Sequence, residues 1–381
     1  MLVQRRKELL VGGMKVAIVL NTSWNVYNFR MSLIKALQNE NHAIHVIAPA
    51  DDYSQKIKDS DCHFHPVKMD SRGANPIKDM ALFFELRSIY KRVQPDIILH
   101  FTIKPNIYGT LAAASLKIPC INNVCGLGTV FLQKGIVSSI ALLMYKVAFK
   151  FPKKVFFQNH HDNDLFIKEK LIKEELCEVI PGSGIDLNHF PPMAFKRNNP
   201  FTFLLISRLI YDKGVIEYID AVKKLKESGI NARFQILGAK DPEHKRGIQE
   251  DLINDWINSN VIEYLGTTSD VRNFIENADC IVLPSYREGT PRTLLEAASS
   301  AKPIIATDVP GCNNVVTNNF NGYLCELKSS EDLALKMNNM CLLPDSDIKN
   351  FGLNGRKKVE EEFNEVLVID SYIKSIAEFN Q

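Results

Sequence analysis

The sequence predicts an α/β chain of two Rossmann-like domains, each a parallel sheet covered by helices. Three observations carry this. Apolar runs of strand length alternate with apolar residues at helical spacing along nearly the whole chain, the pattern of parallel strands joined by helical crossovers. At 381 residues the chain exceeds what one hydrophobic core usually holds. Proline and polar residues cluster between 187 and 200, and the alternation then restarts. The expected organisation is an extension over 1–13, a first domain over 14–190, a linker over 191–200 and a second domain over 201–365. A C-terminal helix, 366–381, is expected to pack back toward the first domain. Residues 1–13 read as an upstream start or a vector remnant, with Met14 the original initiator.

Residues 15–21 (KVAIVLN) read as the first strand, followed by a loop through Trp24 and Asn25. A helix then carries Phe29, Leu33, Ile34 and Leu37 on one face, and strands follow at 43–48 and 63–67. Ile77, Met80, Phe84, Ile89 and Val93 recur at helical spacing over 77–93. Strand 96–101 (DIILHF) ends in Thr102 and Lys104. Helix 107–116, strand 120–124, the glycine loop Cys125-Gly126-Leu127-Gly128, helix 136–150, strand 155–158 and helix 162–172 complete the domain. The second domain reads as strands 201–206, 232–237, 261–265, 280–284 and 303–307. Helices are expected at 214–228, 243–258, 270–277 and 291–301, with 330–342, 347–362 and 366–379 to finish. Thr290-Pro291 has the look of an N-cap and first helical position.

The net charge of +2 conceals an asymmetry. Residues 1–190 hold 24 Lys and Arg against 17 Asp and Glu, whereas 191–381 hold 22 against 27, which suggests different partners for the two halves. The eight cysteines are scattered without a CxxC pair, which suits a reducing cytoplasm better than a disulfide framework. Neither a cleavable signal peptide nor a bilayer-length apolar run is evident. The segment 133–154 has the look of an interfacial helix: uncharged residues 135–145 flanked by Lys134, Lys146, Lys150, Lys153 and Lys154. An anionic inner-membrane surface is the partner it suits, and a peripheral cytoplasmic location follows. Nucleic-acid binding has no support, since the basic residues lack interleaved aromatics and a known motif.

Ligands of open α/β sheets lie beyond the carboxyl ends of the strands, so polar residues after strands are expected to line a cleft between the domains. The loop Ser207-Arg208-Leu209-Ile210-Tyr211-Asp212-Lys213-Gly214 follows a strand and carries two cations suited to clamping a diphosphate. Glu288 lies in another such loop, and Glu296 eight residues further on a helix; their carboxylates can accept hydrogen bonds from sugar and ribose hydroxyls. The opening of that helix offers N–H groups and a partial positive charge to an anion. DxD triplets at 59–61, 162–164 and 345–347 fall at expected helix ends, where caps or solvated acids explain them, so no metal is expected.

On these motifs the chain resembles a GT-B glycosyltransferase of the large retaining family 4. The second domain matches the family's E-x7-E element (Glu288 to Glu296) and its S-R-L-x-x-x-K-G loop, and is similar in Thr307-Asp308-Val309-Pro310-Gly311-Cys312 and Asn321-Gly322-Tyr323-Leu324. The first domain resembles the bacterial subgroup that builds O-antigen, capsule and lipid-linked oligosaccharides, in Tyr27-Asn28-Phe29-Arg30, Gly126-Leu127-Gly128, Phe157-Gln158-Asn159 with Asp162, and Gly182-Ser183-Gly184-Ile185-Asp186. It departs in having Asn21-Thr22-Ser23-Trp24 where many members carry a Gly-Gly turn.

The resemblance implies two domains facing across a cleft and transfer from a nucleotide-sugar, UDP-activated N-acetylhexosamine or galactose, to a polyprenyl-diphosphate-linked saccharide. Arg208 and Lys213 would bind the donor diphosphate and offset charge on the departing nucleotide. Glu288 would meet the donor sugar, with Gly289, Thr290 and Pro291 nearby; Glu296 would hold the ribose, and Gly266 would line the same donor site. Same-face attack, with the leaving phosphate taking the acceptor proton, leaves Glu288 without a nucleophile's role. His100, Lys104, Asn106, Gly126, Gly128 and Asn25 would shape the acceptor side. The rival readings are a nucleotide-sugar epimerase on the same fold and a non-catalytic nucleotide-sugar-binding subunit.

Overall fold

The computed structural model describes residues 13–70, 75–127 and 136–379. The chain forms two compact units: one runs to Ser183 and takes in the C-terminal stretch from Glu365, and the other is Gly184–Asn364. The stretch 187–200, expected to separate the domains, is tied to the second unit. The Asn198 and Thr202 N–H groups donate to the Asp279 carboxylate at 2.9 and 2.7 Å, and Ser299 Oγ donates to the Phe190 carbonyl at 2.6 Å.

Among the described residues the first unit holds seven parallel strands: β1 (Lys15–Val19), β2 (Ala43–Ala48), β3 (His63–Pro66), β4 (Ile97–Phe101), β5 (Cys120–Val124), β6 (Lys154–Phe157) and β7 (Cys177–Val179), in the order β3-β2-β1-β4-β5-β6-β7. The inner strands are nearly continuous in apolar residues because both faces are covered. Alternate residues sort by face. Val16, Ile18, Ile97, Leu99, Ile121 and Phe156 pack with Leu33, Ile34 and Leu37, and with Val368, Tyr372 and Ile376 of the helix Glu365–Ala377. On the other face Ala17, Val19, Ile98 and Cys120 meet Leu82, Leu86, Ile89 and Tyr90 of the helix Pro76–Val93. Val124, Val155 and Phe157 of that same face meet Tyr145, Ala148 and Phe149.

The second unit holds β8 (Phe201–Ile206), β9 (Ala232–Leu237), β10 (Glu263–Tyr264), β11 (Cys280–Leu283), β12 (Ile304–Thr307) and β13 (Gly322–Cys325) in the parallel order β10-β9-β8-β11-β12-β13. In both sheets the order reverses beside the first strand, between β1 and β4 and between β8 and β11. Such reversals open a crevice at the strands' carboxyl ends.

Several expected elements differ. The helix expected over 243–258 is confined to Glu250–Asn258, because the preceding backbone is used elsewhere: Tyr211 N–H donates to the Arg246 carbonyl and Ile248 N–H to the Leu209 carbonyl. The helix expected at 291–301 is Arg292–Ser299, with Pro291 rather than Thr290 as its N-cap. The single helix carrying Phe29 to Leu37 is two, Ser23–Phe29 and Met31–Asn39, broken at Arg30. The helix expected at 107–116 begins earlier, as a π-turn over Pro105–Gly109 leading into Thr110–Ser115. Strand β13 has no counterpart in the expected elements. Residues 1–12, 133–135 and Gly128 lie outside the described residues.

Candidate active site

Three loops meet at the reversal in the second unit. The loop after β8 ends at Gly214, whose φ of 68° lies in the left-handed region, and a Cβ there would collide with the Pro284 carbonyl of the loop after β11. Glycine therefore lets the two loops touch. Tyr286 N–H then donates to the Asp212 carbonyl at 2.9 Å, and Arg246 bonds the Asp212 carboxylate at 3.1 Å. Tyr286 Oη donates to Glu217 at 2.7 Å, and Lys328 lies 4.7 Å from the Tyr286 ring centre. The loop after β12 closes the third side. Gly311, with φ 88°, backs onto the Glu288 and Gly289 carbonyls, and Glu288 N–H donates to the Pro310 carbonyl at 3.3 Å. The site is thus carried on loops held by backbone contacts.

Lys213 and Glu288, 75 residues apart in sequence, form an ion pair across the first two loops, and both side chains are mostly buried. A lysine here is a compact charge that can turn from a carboxylate to a phosphate. Arg208 is more than half exposed, and its guanidinium sits 3.6 Å from the Asp241 carboxylate. Glu296 pairs with Arg292 one turn earlier on its helix, at 3.3 Å, and Arg292 also donates to the Gly184 carbonyl at 2.7 Å. Burial pushes the Glu296 carboxyl up to about 7, with Arg292 pulling the other way. Gly266 follows β10, its carbonyl accepting from Gly238 N–H at 2.8 Å, and among the described residues no atom beyond its chain neighbours lies within 4 Å of where its Cβ would be. Gly289 is buried beside Glu288 and Thr290 half-buried, while Pro291 caps the Arg292 helix without a side-chain hydrogen bond. The residue sequence reasoning missed is Arg292. Its signal was present, since Arg and Glu four apart on one helix are surface neighbours.

The first unit treats its expected residues differently. His100 is enclosed rather than presented to a ligand: Tyr90 Oη lies 3.0 Å from Nε2 and Asn122 Oδ1 3.0 Å from Nδ1. Burial pulls its imidazole down to about 3, so the ring stays neutral. Lys104 is likewise engaged, bonded to Asp79 at 2.6 Å, and Tyr108 Oη donates to the same carboxylate at 3.2 Å. Asn106 is buried and donates to the Asn123 carbonyl at 2.8 Å. In this structure all three are engaged with other groups of the first unit. Asn25 is half-buried in the first turn of its helix, its N–H donating to Thr22 Oγ1 at 3.1 Å, and Gly126 has φ 115°. Arg30, buried with its guanidinium 4.4 Å from the Phe101 ring centre, was not expected there.

Among the described residues no group of three or more His, Cys, Asp or Glu side chains converges in a way that could hold a metal ion. Asp162 is fully buried, exchanging hydrogen bonds with the N-cap Asn159, and Asp59 and Asp345 sit at helix ends.

Two family models match the chain: "Glycosyl transferases group 1" over residues 190–358 and "Glycosyl transferase 4-like" over 15–159. One similar protein is the Campylobacter jejuni N,N'-diacetylbacillosaminyl-diphospho-undecaprenol alpha-1,3-N-acetylgalactosaminyltransferase, 29% identical over 95% of this chain and 98% of that one. Another is the Escherichia coli UDP-Gal:alpha-D-GlcNAc-diphosphoundecaprenol alpha-1,3-galactosyltransferase, 28% identical over 78% of this chain and 79% of that one. Among solved structures, Anabaena HepE in complex with UDP and glucose superposes with a TM-score of 0.77 at 17% identity, covering 96% of this chain and 99% of that one.

Proposed function

The chain belongs to the group 1 and type 4-like glycosyltransferases of GT-B fold, and we propose that it transfers a sugar from a UDP-activated donor to a polyprenyl-diphosphate-linked saccharide. N-acetylgalactosamine and galactose are the donor sugars named for the two relatives, and surface polysaccharide or glycan assembly is the setting. The observation that carries the donor half is the Lys213–Glu288 pair at the strand reversal, beside the helix that bears Arg292 and Glu296. A carboxylate and a cation in contact there can separate around a nucleotide-sugar, the ammonium going to the diphosphate and the carboxylate to sugar hydroxyls.

In the proposed step the bond between the anomeric carbon and the diphosphate oxygen breaks, and the acceptor oxygen bonds to the same face of the ring. The acceptor proton passes to the departing diphosphate. Lys213 and Arg208 offset charge on that diphosphate as it leaves, and the opening turn of the Arg292 helix adds its partial positive charge. Glu296 accepts from the ribose hydroxyls, held in place by Arg292. Positive charge in this scheme comes from side chains and the helix opening, and no metal is required. The enzyme works at the cytoplasmic face of the membrane that carries the lipid acceptor.

The test is a panel of nucleotide-sugars offered with an undecaprenyl-diphosphate-linked sugar, the product's anomeric configuration being read by NMR. Transfer with retention is expected. An inverted product would overturn the mechanism, and epimerised UDP-sugar formed without acceptor would move the chain to the isomerase reading.

A further inference from the structure

Two helices on one face of the first unit are apolar on the side turned away from the sheet. The helix Ile136–Ala148 buries Tyr145 and Ala148, with Phe149 just beyond it, yet it exposes Ile140, Leu143 and Val147, and Phe151 continues the same stripe at spacings of three and four. The helix Pro76–Val93 buries Leu82, Leu86 and Ile89 and exposes Ile77, Met80 and Phe84. These seven side chains are between 42 and 82% exposed, where a helix on a soluble surface would carry polar residues. Both helices contact the Pro105–Gly109 turn and pack on the same face of the sheet, so the two stripes lie on the outside of one layer.

The charge around them is mainly basic. Between Asp96 and Asp162 the sequence has no acidic residue and seven lysines. Lys146 and Lys150 are exposed beside the longer stripe. At its end a hollow of about 430 Å³ gathers Phe151, Lys117 and Lys153. On the other helix, Asp79 is paired with Lys104 and Glu85 accepts from Lys68 N–H, so these acids are satisfied locally.

We infer that this face docks on an anionic bilayer, with the apolar stripes in the acyl boundary and the lysines at lipid phosphates. No described helix is long and apolar enough to cross a membrane, so the contact is interfacial. The inference deepens the reading of a lipid-linked acceptor and rests on it for its purpose. Vesicle binding without donor or acceptor tests the surface alone.

The experiment is co-sedimentation of the full chain with vesicles of phosphatidylethanolamine and phosphatidylglycerol, against phosphatidylcholine alone, with sedimentation velocity run in parallel. The wild type is expected to bind the anionic vesicles and to release as salt rises. Leu143→Ser with Phe151→Ser, and Ile77→Ser with Phe84→Ser, should each lower binding about tenfold, while transfer to a short-chain, water-soluble acceptor is unchanged. Lys146→Glu with Lys150→Glu should do the same. Equal binding to phosphatidylcholine, full binding by the serine variants, or a dimer that the serine variants dissolve would each overturn the inference. Loss of transfer to the soluble acceptor in the wild type would instead count against the proposed function.

Discussion

The two units share a strand order and differ at the place where that order reverses. In the second, charged side chains meet there: Lys213 with Glu288, and Arg292 with Glu296. In the first, the corresponding end is filled by the neutral, buried side chains of His100, Asn106 and Asn122, which bond to one another or to nearby backbone and to Tyr90. His100 and Asn122 satisfy each other as packed core groups do, while Asn106 Oδ1 is buried without a hydrogen-bond partner among the described residues. Paired charges left partly open to solvent are poised to exchange partners with a charged ligand. The same topology therefore gives a position, and only the side chains placed on it give chemistry. The charged groups the first unit has near that end, Lys104 with Asp79 and Arg30 over Phe101, are likewise engaged within their own unit.

The sharpest way to break this contrast is Lys213→Ala or Glu288→Gln. Each should lower transfer by about 10²–10³, the scale of losing one preorganised electrostatic contact, with little change in thermal unfolding; a near-normal rate would remove the site. Gly214→Ala probes the backbone that brings the loops together. Its left-handed φ and the collision with Pro284 should lower stability by roughly 2–4 kcal/mol, seen as an earlier urea midpoint for the second unit.

Arg292→Ala separates holding from binding. The Glu296 carboxyl, raised to about 7 against an ordinary value near 4.5, is favoured in its protonated form by folding. That stabilisation is complete below the ordinary value and fades as pH rises through 7, while donor binding by the carboxylate strengthens over the same rise. Without Arg292 the fall of donor KM with pH should move to higher pH, with kcat changed less. An unmoved profile would mean that Arg292 is packing only.

The smallest effect expected is on acid stability. Burial holds His45 at about 4 and His100 at about 3, and lowers His42 and His65 as well. All four lie in the first unit. Stability from these neutral rings is complete above about 6.5 and is lost as pH falls toward the lowered values, because the unfolded chain takes up the protons. The two tryptophans, Trp24 and Trp256, report one unit each. Fluorescence of Trp256→Phe and Trp24→Phe variants should show the first unit unfolding at the higher pH.

Much of the fold was legible because strand and helix periodicities are local. The buried runs of β1, β4, β8 and β11 stand out, and the donor-side residues follow them directly. What was not legible depended on partners distant in sequence. The delayed start of the helix at Glu250 reflects backbone groups borrowed by Leu209 and Tyr211. The short strand β13 is defined by pairing with β12. His100 and Lys104 follow or end a strand as ligand-binding residues do. Whether they are presented or enclosed is decided by Tyr90, Asn122 and Asp79, which no spacing rule connects to them. Arg292 was legible in principle from its spacing to Glu296 but had no motif to draw attention to it.

In the proposed function the second unit's strand reversal binds the donor diphosphate. Calorimetric titration of the full chain with UDP, comparing wild type with Lys213→Ala, tests it most directly. Binding at least about tenfold weaker is expected in the variant at unchanged unfolding temperature, as for a lost charge-assisted contact to phosphate. Equal affinity for UDP in the two proteins would contradict it.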